Sequence, residues 1–239
     1  MARTGISSDV YAEYLLSTFD NFTCSHLAEI MDCSHDAASD ALRGHSLKPR
    51  ALWDRVRRHC PLERRRRGAM ILDDRVLDKN FSKKIENACR QWSGNAGKVI
   101  TGVGVVNWLH YDPLTDDYLP IDYRIWDRER DGTKRTEFHM TNQLHLQSRT
   151  TAEAVLGYGW KIEQFYRELK QLTGIERCQA RKQRSQRNHI HCAIAAWLLL
   201  WERARSLGIT VYEAKRRPFT DYLRERFGMP TAYRRPHPV

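Results

Sequence analysis

Apolar residues near the start of the chain recur at helical spacing: Val10, Tyr11, Tyr14, Leu15 and Phe19 form one set, and Leu27, Ile30 and Met31 a second. Thr23 or Ser25 is placed to cap the second helix, Asp32 and Cys33 to turn the chain, and Ser34 to cap a third helix ending near Arg43. Three short helices in this order have the layout of a helix-turn-helix, whose last helix would offer His35, Ser39 and Arg43 to a DNA major groove. Plain helical packing is the other reading of the same residues.

Further along, the pattern changes to strands. Residues 69–72, ending at Asp73 and Asp74, residues 98–111, rich in valine with Gly102 and Gly104, and residues 118–126 each carry a strand signal. The turn at 112–117, Asp-Pro-Leu-Thr-Asp-Asp, joins the last two as a hairpin, and the charged stretch 127–136 with Gly132 reads as a loop. From Thr151 the spacing is helical again, with a first helix to about Thr173 closed by Gly174, a second over 187–207 and a third over 212–227. Prolines 230, 236 and 238 predict a disordered tail over 230–239. The expected organisation is therefore an N-terminal helical domain over 1–48, a basic linker over 49–68, an α/β domain over 69–229, and the tail. The linker reading rests on Pro49, Pro61, Gly68 and eight arginines within 49–68.

Charge sharpens this picture. The 239 residues carry a formal net charge of +11, and a surplus of that size attracts a polyanion, because each neutralised phosphate releases condensed counterions. The cations gather at Arg55, Arg57 and Arg58, at Arg64, Arg65, Arg66 and Arg67, at Arg181, Lys182, Arg184 and Arg187, and at Lys215 to Arg217. A solvated face explains one such cluster more readily than several. Double-stranded DNA is the expected partner. The densest apolar stretch, residues 192–201, is about half the ~20 residues of a membrane-spanning helix and reads as core. With no apolar run of signal type in residues 1–9, the cytoplasm is the expected location. Six cysteines without a Cys-x-x-Cys pair are expected to stay thiols. Cys24, His26, Cys33 and His35 form two Cys-x-His pairs, a spacing less usual for structural zinc than Cys-x(2–4)-Cys, and helical packing is the preferred reading.

Two acids stand out as candidate chemistry: Asp73 at the expected end of the first strand, and Glu163 in the helix after Thr151. In that helix Ile162, Phe165, Leu169 and Leu172 form an apolar face, while Trp160, Glu163, Arg167 and Lys170 share an adjacent stripe. A carboxylate and a lysine two turns apart suit phosphate chemistry: the acid holds a divalent metal and the lysine steadies the phosphate. The structural alternative is a solvated Glu163–Arg167 pair at i, i+4.

The segment 158–181, YGWKIEQFYRELKQLTGIERCQAR, resembles the C-terminal signature of DDE transposases of bacterial insertion sequences, of the insertion sequence 4/701 type group. Residues 71–79, ILDDRVLDK, are similar to the family's first-strand motif; residues 119–126, LPIDYRIW, to the strand closing its first hairpin; and the helix carrying Gln186, Asn188, His189 and Ile190 to the family's next helix. The resemblance implies a ribonuclease-H-like fold in which two aspartates and a glutamate bind two magnesium ions. Carried over by position, Asp73 is the first aspartate, with Asp74 the alternative, Glu163 is the glutamate, and Lys170 is the lysine of the tyrosine-arginine-glutamate-lysine signature. Asp73 and Glu163 are thus the expected ligands of Mg2+ or Mn2+, and Arg43, Arg64, Arg65, Arg66, Arg67, Arg167, Arg181, Lys182 and Arg184 the expected DNA contacts. The tyrosine and arginine positions fall on Leu156 and Gly159, with Tyr158 a poor substitute, and Arg75 replaces the usual threonine of the first motif.

The family's second aspartate, on a fourth strand after a crossover helix, has no counterpart motif here. Only 18 residues separate Gly132 from Thr151, fewer than a crossover of ~10–12 residues, a strand of ~5 and the connections need. The expected fold is therefore an α/β, incomplete ribonuclease-H-like catalytic domain behind a helix-turn-helix-like domain. Asp122 and Asp127 are poor replacements, because the third strand of such a sheet lies two places from the first, roughly 10 Å away. The sequence thus reads as a bacterial transposase with an internal deletion and impaired DNA strand cleavage and transfer, expected in the cytoplasm in association with the nucleoid. The alternatives are a catalytically inactive DNA-binding remnant or regulator, and a nuclease of another ribonuclease-H-like family. A homodimer is a further expectation.

Overall fold

The computed structural model describes residues 6–82, 84–126 and 157–228. Three short helices come first: α1 (Ser8–Ser17), α2 (Cys24–Ile30) and α3 (His35–Gly44). Their starts are set by side chains that satisfy otherwise unpaired amides: Ser7 accepts from Val10 N–H, Thr23 from His26 and Ser34 from Ala37. Asp32 takes a positive φ of 46° at the turn between α2 and α3, a conformation that aspartate tolerates better than most residues.

The expected linker is helical. α4 (Pro49–Val56) opens with proline at its first position, a single 3-10 turn follows over Arg57–His59, and α5 is Leu62–Arg67. The arginine content conceals Leu52, Val56 and Cys60, which recur every four residues and are fully buried. α4 packs against the sheet, so residues 49–68 are part of the folded unit.

Four strands make one antiparallel sheet: β1 (Ala69–Asp78), β2 (Cys89–Ser93), β3 (Lys98–Asp112) and β4 (Asp117–Ile125). β1 pairs with β3 from Ala69↔Tyr111 to Asp78↔Gly102. On the other edge of β3, β4 pairs with Val105–Asp112 and β2 with Lys98–Gly102. Two expectations change here. β1 runs through the acidic pair to Asp78, so Asp73 lies mid-strand, and β2 is a strand that the sequence pattern did not signal. Pairing with the long β3 holds the polar residues 73–75 extended, although their own propensity ends a strand there.

The C-terminal part is α6 (Trp160–Thr173), α7 (Gln183–Leu207) and α8 (Val211–Arg226). Gly174 ends α6 with φ 60°, and a Cβ there would come within 2.5 Å of the Phe22 ring. Both the left-handed backbone and the close approach therefore require glycine. Residues 127–156 and 229–239, which include the loop reading, Asp127, Leu156, the start expected at Thr151 and the expected tail, lie outside the described residues. No described helix is long and apolar enough to cross a membrane; residues 192–201 are core within α7.

α7 is the spine. It is buried nearly all round, with α1 and α3 on one side and α6 and α8 on others. The N-terminal helices share one apolar core with the sheet and α7, so position 48 is no break in packing. At the start of α7, Asn188 donates from Nδ2 to Leu42 O (2.6 Å) and His45 O (2.8 Å) and accepts from Leu47 N–H (3.3 Å). His189 donates from Nε2 to Gly174 O (3.1 Å) and accepts at Nδ1 from the Tyr11 hydroxyl (2.9 Å). Burial pushes the His189 pKa down to about 3, so the ring is neutral and both contacts fit one tautomer.

Asn188→Ala should strip three backbone partners in the core and cost about 1–3 kcal/mol of stability. Urea unfolding of the two proteins measures this; a loss under ~0.5 kcal/mol would show that the amide does not hold the N-terminal helices in place.

Candidate functional site

Strand alternation places Asp73, Arg75 and Leu77 on one face of β1 and Leu72 and Asp74 on the other. The face of Asp73 is the one covered by α6. Asn107, directly opposite Asp73 on β3, donates from Nδ2 to the Tyr166 hydroxyl (3.1 Å), which donates in turn to Asp73 O (2.9 Å). Burial beside Asp73 raises the Tyr166 pKa, so the phenol stays protonated and able to donate. Ile162, Phe165, Leu169 and Leu172 point α6 into the core as the spacing predicts. This orients Glu163 over β1, where its Oε2 meets Arg75 Nη1 at 3.0 Å. Asp73 and Glu163 thus share one face, with the Arg75 guanidinium on the glutamate.

The remaining stripe residues find other partners. The Arg167 guanidinium lies over the Trp160 ring at 5.4 Å, and Lys170 Nζ pairs with Glu176 Oε2 at 2.8 Å. Tyr158 packs on Tyr111, ring centres 4.8 Å apart. Asp74 is in the row of Val106 and Arg124, and Asp122 in the row of Trp108 and Leu72, both on the face away from Asp73. Asp122 also pairs with Arg124 at 2.8 Å. Among the described residues no group of three histidine, cysteine or acidic side chains could hold a metal, and that includes Cys24, His26, Cys33 and His35. The six cysteines are thiols.

The basic residues divide by what they touch. Arg64, only 8% exposed, and Arg67 converge on the fully buried Asp112 at the hairpin turn, with ion-pair distances of 3.3 and 2.7 Å, and Arg64 reaches Asp117 at 3.2 Å. These two cations hold the turn, whose own Asp112 also accepts from Leu114 N–H and Thr115 Oγ1. Arg65 lies over Trp53 at 5.7 Å, while Arg66 is exposed. Arg55 pairs with Asp9, and Arg58 with Glu202.

A second group of cations lines a groove. A cleft of about 820 Å³ runs between the end of α3, the segment leading into α4, the end of β4 and the start of α7, and Arg43, Lys48, Arg124, Lys182, Arg184 and Arg187 line it. A smaller cleft of about 430 Å³ continues it past Arg50 and Trp53. The acids in the two clefts are already paired, Glu86 with Lys182 at 2.7 Å and Asp122 with Arg124. Arg43, Lys182 and Arg184, separate in sequence, are brought together here, whereas Arg181 is exposed and does not line the cleft.

Sequence reasoning missed three residues. Lys79, buried, donates to Glu176 O (2.7 Å) and Cys178 O (2.9 Å), tying the end of β1 to the turn after α6. Glu168 is buried among the Tyr118 hydroxyl (2.7 Å), Trp197 Nε1 (2.8 Å) and Gln164 Nε2 (3.1 Å). Its signal was an acid three residues from Phe165, on the edge of the apolar face. Arg75 carried a signal only as a departure from a motif.

The described unit is mixed α/β, with Asp73 on β1 and Glu163 on α6 on the same side of an antiparallel sheet and a row of cations along a cleft. The model of one family, the transposase DDE domain, matches residues 48–199, and the chain belongs to that family. No curated protein and no solved structure matches it.

Arg67 holds the Asp112 carboxyl down at about 2, below its ordinary 3.8. The carboxylate is therefore favoured by the fold: its contribution is complete above about pH 4 and is lost as pH falls from there toward 2. Stability measured against pH should fall through that window, and Arg67→Met should flatten the fall while lowering stability at neutral pH. An unchanged profile in Arg67→Met would assign the hairpin clamp to other residues.

Proposed function

We propose that the chain is a DNA-binding transposase of a bacterial insertion sequence, of the insertion sequence 4/701 type group, acting on double-stranded DNA at the element ends. The observation that carries the DNA reading is the cleft: cations from α3, the α4 entry, β4 and α7 line one continuous path while its acids are neutralised by partners. Such a path follows a phosphate backbone without reading sequence. Sequence reading is assigned to the helix-turn-helix-like unit of α2 and α3, whose last turn ends at Arg43 in the same cleft. Arg65, Arg66, Arg167 and Arg181 are proposed as outer phosphate contacts. With DNA as the partner, the proposed setting is the nucleoid of a bacterial cytoplasm.

The antiparallel order β1-β3-β4 is the start expected of a ribonuclease-H-like sheet, which supports that fold. Asp73 and Glu163 are proposed as the retained acids of the family's strand-cleaving site. Carboxylates of this kind suit Mg2+ or Mn2+, and Lys170 is proposed to steady a phosphate after leaving Glu176. The described arrangement does not fit a metal ion as it stands, because a guanidinium occupies the glutamate. The segment 127–156, whose sequence carries no counterpart of the second aspartate's motif, lies outside the described residues. Asp122 is on the wrong face to replace it. We therefore read cleavage as weak and DNA binding as the retained activity, with a role as an inactive regulator at element ends as the second reading.

Binding of a labelled duplex should weaken steeply with salt and survive Asp73→Ala and Glu163→Ala. Arg43→Ala/Arg184→Ala should make the slope of log K against log salt shallower by roughly 2, on every sequence alike, as expected for two lost phosphate contacts. A slope unchanged in the double variant would remove the cleft from the DNA path.

A further inference from the structure

Arg75 is held more firmly than a surface arginine on a strand needs to be. Its Nη1 lies 3.0 Å from Glu163 Oε2, and its guanidinium carbon stands 5.3 Å from the centre of the Tyr166 ring. The side chain is 16% exposed, whereas Glu163 is 44% exposed. Tyr166 is itself fixed, by its bonds to Asn107 and to Asp73 O. The ring that supports the arginine is therefore tied to the backbone of the first candidate acid. A guanidinium stays charged at any pH the protein meets, and its planar fork suits a carboxylate better than a lysine does.

A divalent ion held between Asp73 and Glu163 would need the Glu163 oxygens at about 2.0–2.6 Å. Arg75 already takes one of them, and its charge would repel any ion arriving beside it. We propose that Arg75 is an internal competitor for the divalent cation: it neutralises Glu163 in the resting protein, and metal binds only when the guanidinium leaves. The proposal rests on the reading of Asp73 and Glu163 as metal-holding acids. It adds that a residue present on β1 bars metal from this pair.

The test measures Mn2+ binding by the full chain, from the resonance signal of free Mn2+, without DNA or turnover. Arg75→Thr, whose short β-branched side chain suits a strand, should bind Mn2+ at least tenfold more tightly than the original chain. Arg75→Lys should stay weak because it keeps the charge. Adding Glu163→Gln to Arg75→Thr should abolish the gain. Arg75→Gln, close to arginine in length and able to rest on Tyr166, serves where Arg75→Thr does not fold, and should also gain affinity. Equal Mn2+ affinity in the original chain and both neutral variants, lost with Glu163→Gln, would reject the competition and keep the acid pair as a metal site. No Mn2+ binding in any folded variant would overturn the metal reading and the competition together.

Discussion

The structure depends on the buried polar residues at the start of α7. A helix buried on all sides makes an apolar core, but it cannot by itself satisfy the irregular backbone of the segments that cross its end. Gln186, Asn188 and His189 do that. Gln186 Nε2 donates to Cys178 O and Ala180 O, Asn188 serves the turn after α3, and His189 serves the turn after α6. One turn of helix thereby fixes the N-terminal helices and the signature turn relative to the sheet. Leaving those carbonyls unpaired in the core would cost roughly 1–3 kcal/mol each.

From this anchor the residues of the two acidic motifs acquire their places. Lys79, at the end of the first motif, grips the turn that follows the second. Desolvation lowers its pKa, yet the nearby charges and its two carbonyl acceptors favour the ammonium form. Glu168 is locked by Tyr118 and Trp197, which fixes the rotation of α6 about its axis. With the rotation fixed, Glu163 has one place to go, over β1. Much of the signature that marks the family is thus scaffolding, and only its exposed stripe is left for chemistry.

The positive charge of the chain is divided by the same logic. An arginine near a buried carboxylate is drawn in, because an unpaired Asp112 in the core would be prohibitively costly. Arg64 and Arg67 close the hairpin in this way and are spent on stability. At the seam between α3, β4 and α7, Arg43, Arg124 and Lys182 pair with the partly exposed Asp40, Asp122 and Glu86, and the cations lining the cleft outnumber its acids. Net charge pointed to the class of partner proposed above, and the distribution of ion pairs among the arginines decides which of them are left to face it.

Local rules carried the sequence reading a long way. Capping residues Thr23 and Ser34, the apolar stripe of α6, the closing Gly174 and the turn at 112–117 are all local, and each operates through spacing within a few residues. Asp73 and Glu163, the acids proposed for the site, were singled out because a motif carries them. What local spacing could not supply was pairing across distance. The extension of β1 through Asp73 needs a partner strand some thirty residues on, and the helical nature of 49–68 needs a sheet for Leu52 and Val56 to pack on. The ion pair of Arg75 with Glu163 joins residues 88 positions apart. Short-range propensity and capping are written into neighbouring residues, whereas the partner of a buried or half-buried charge is decided by which surfaces the core brings together.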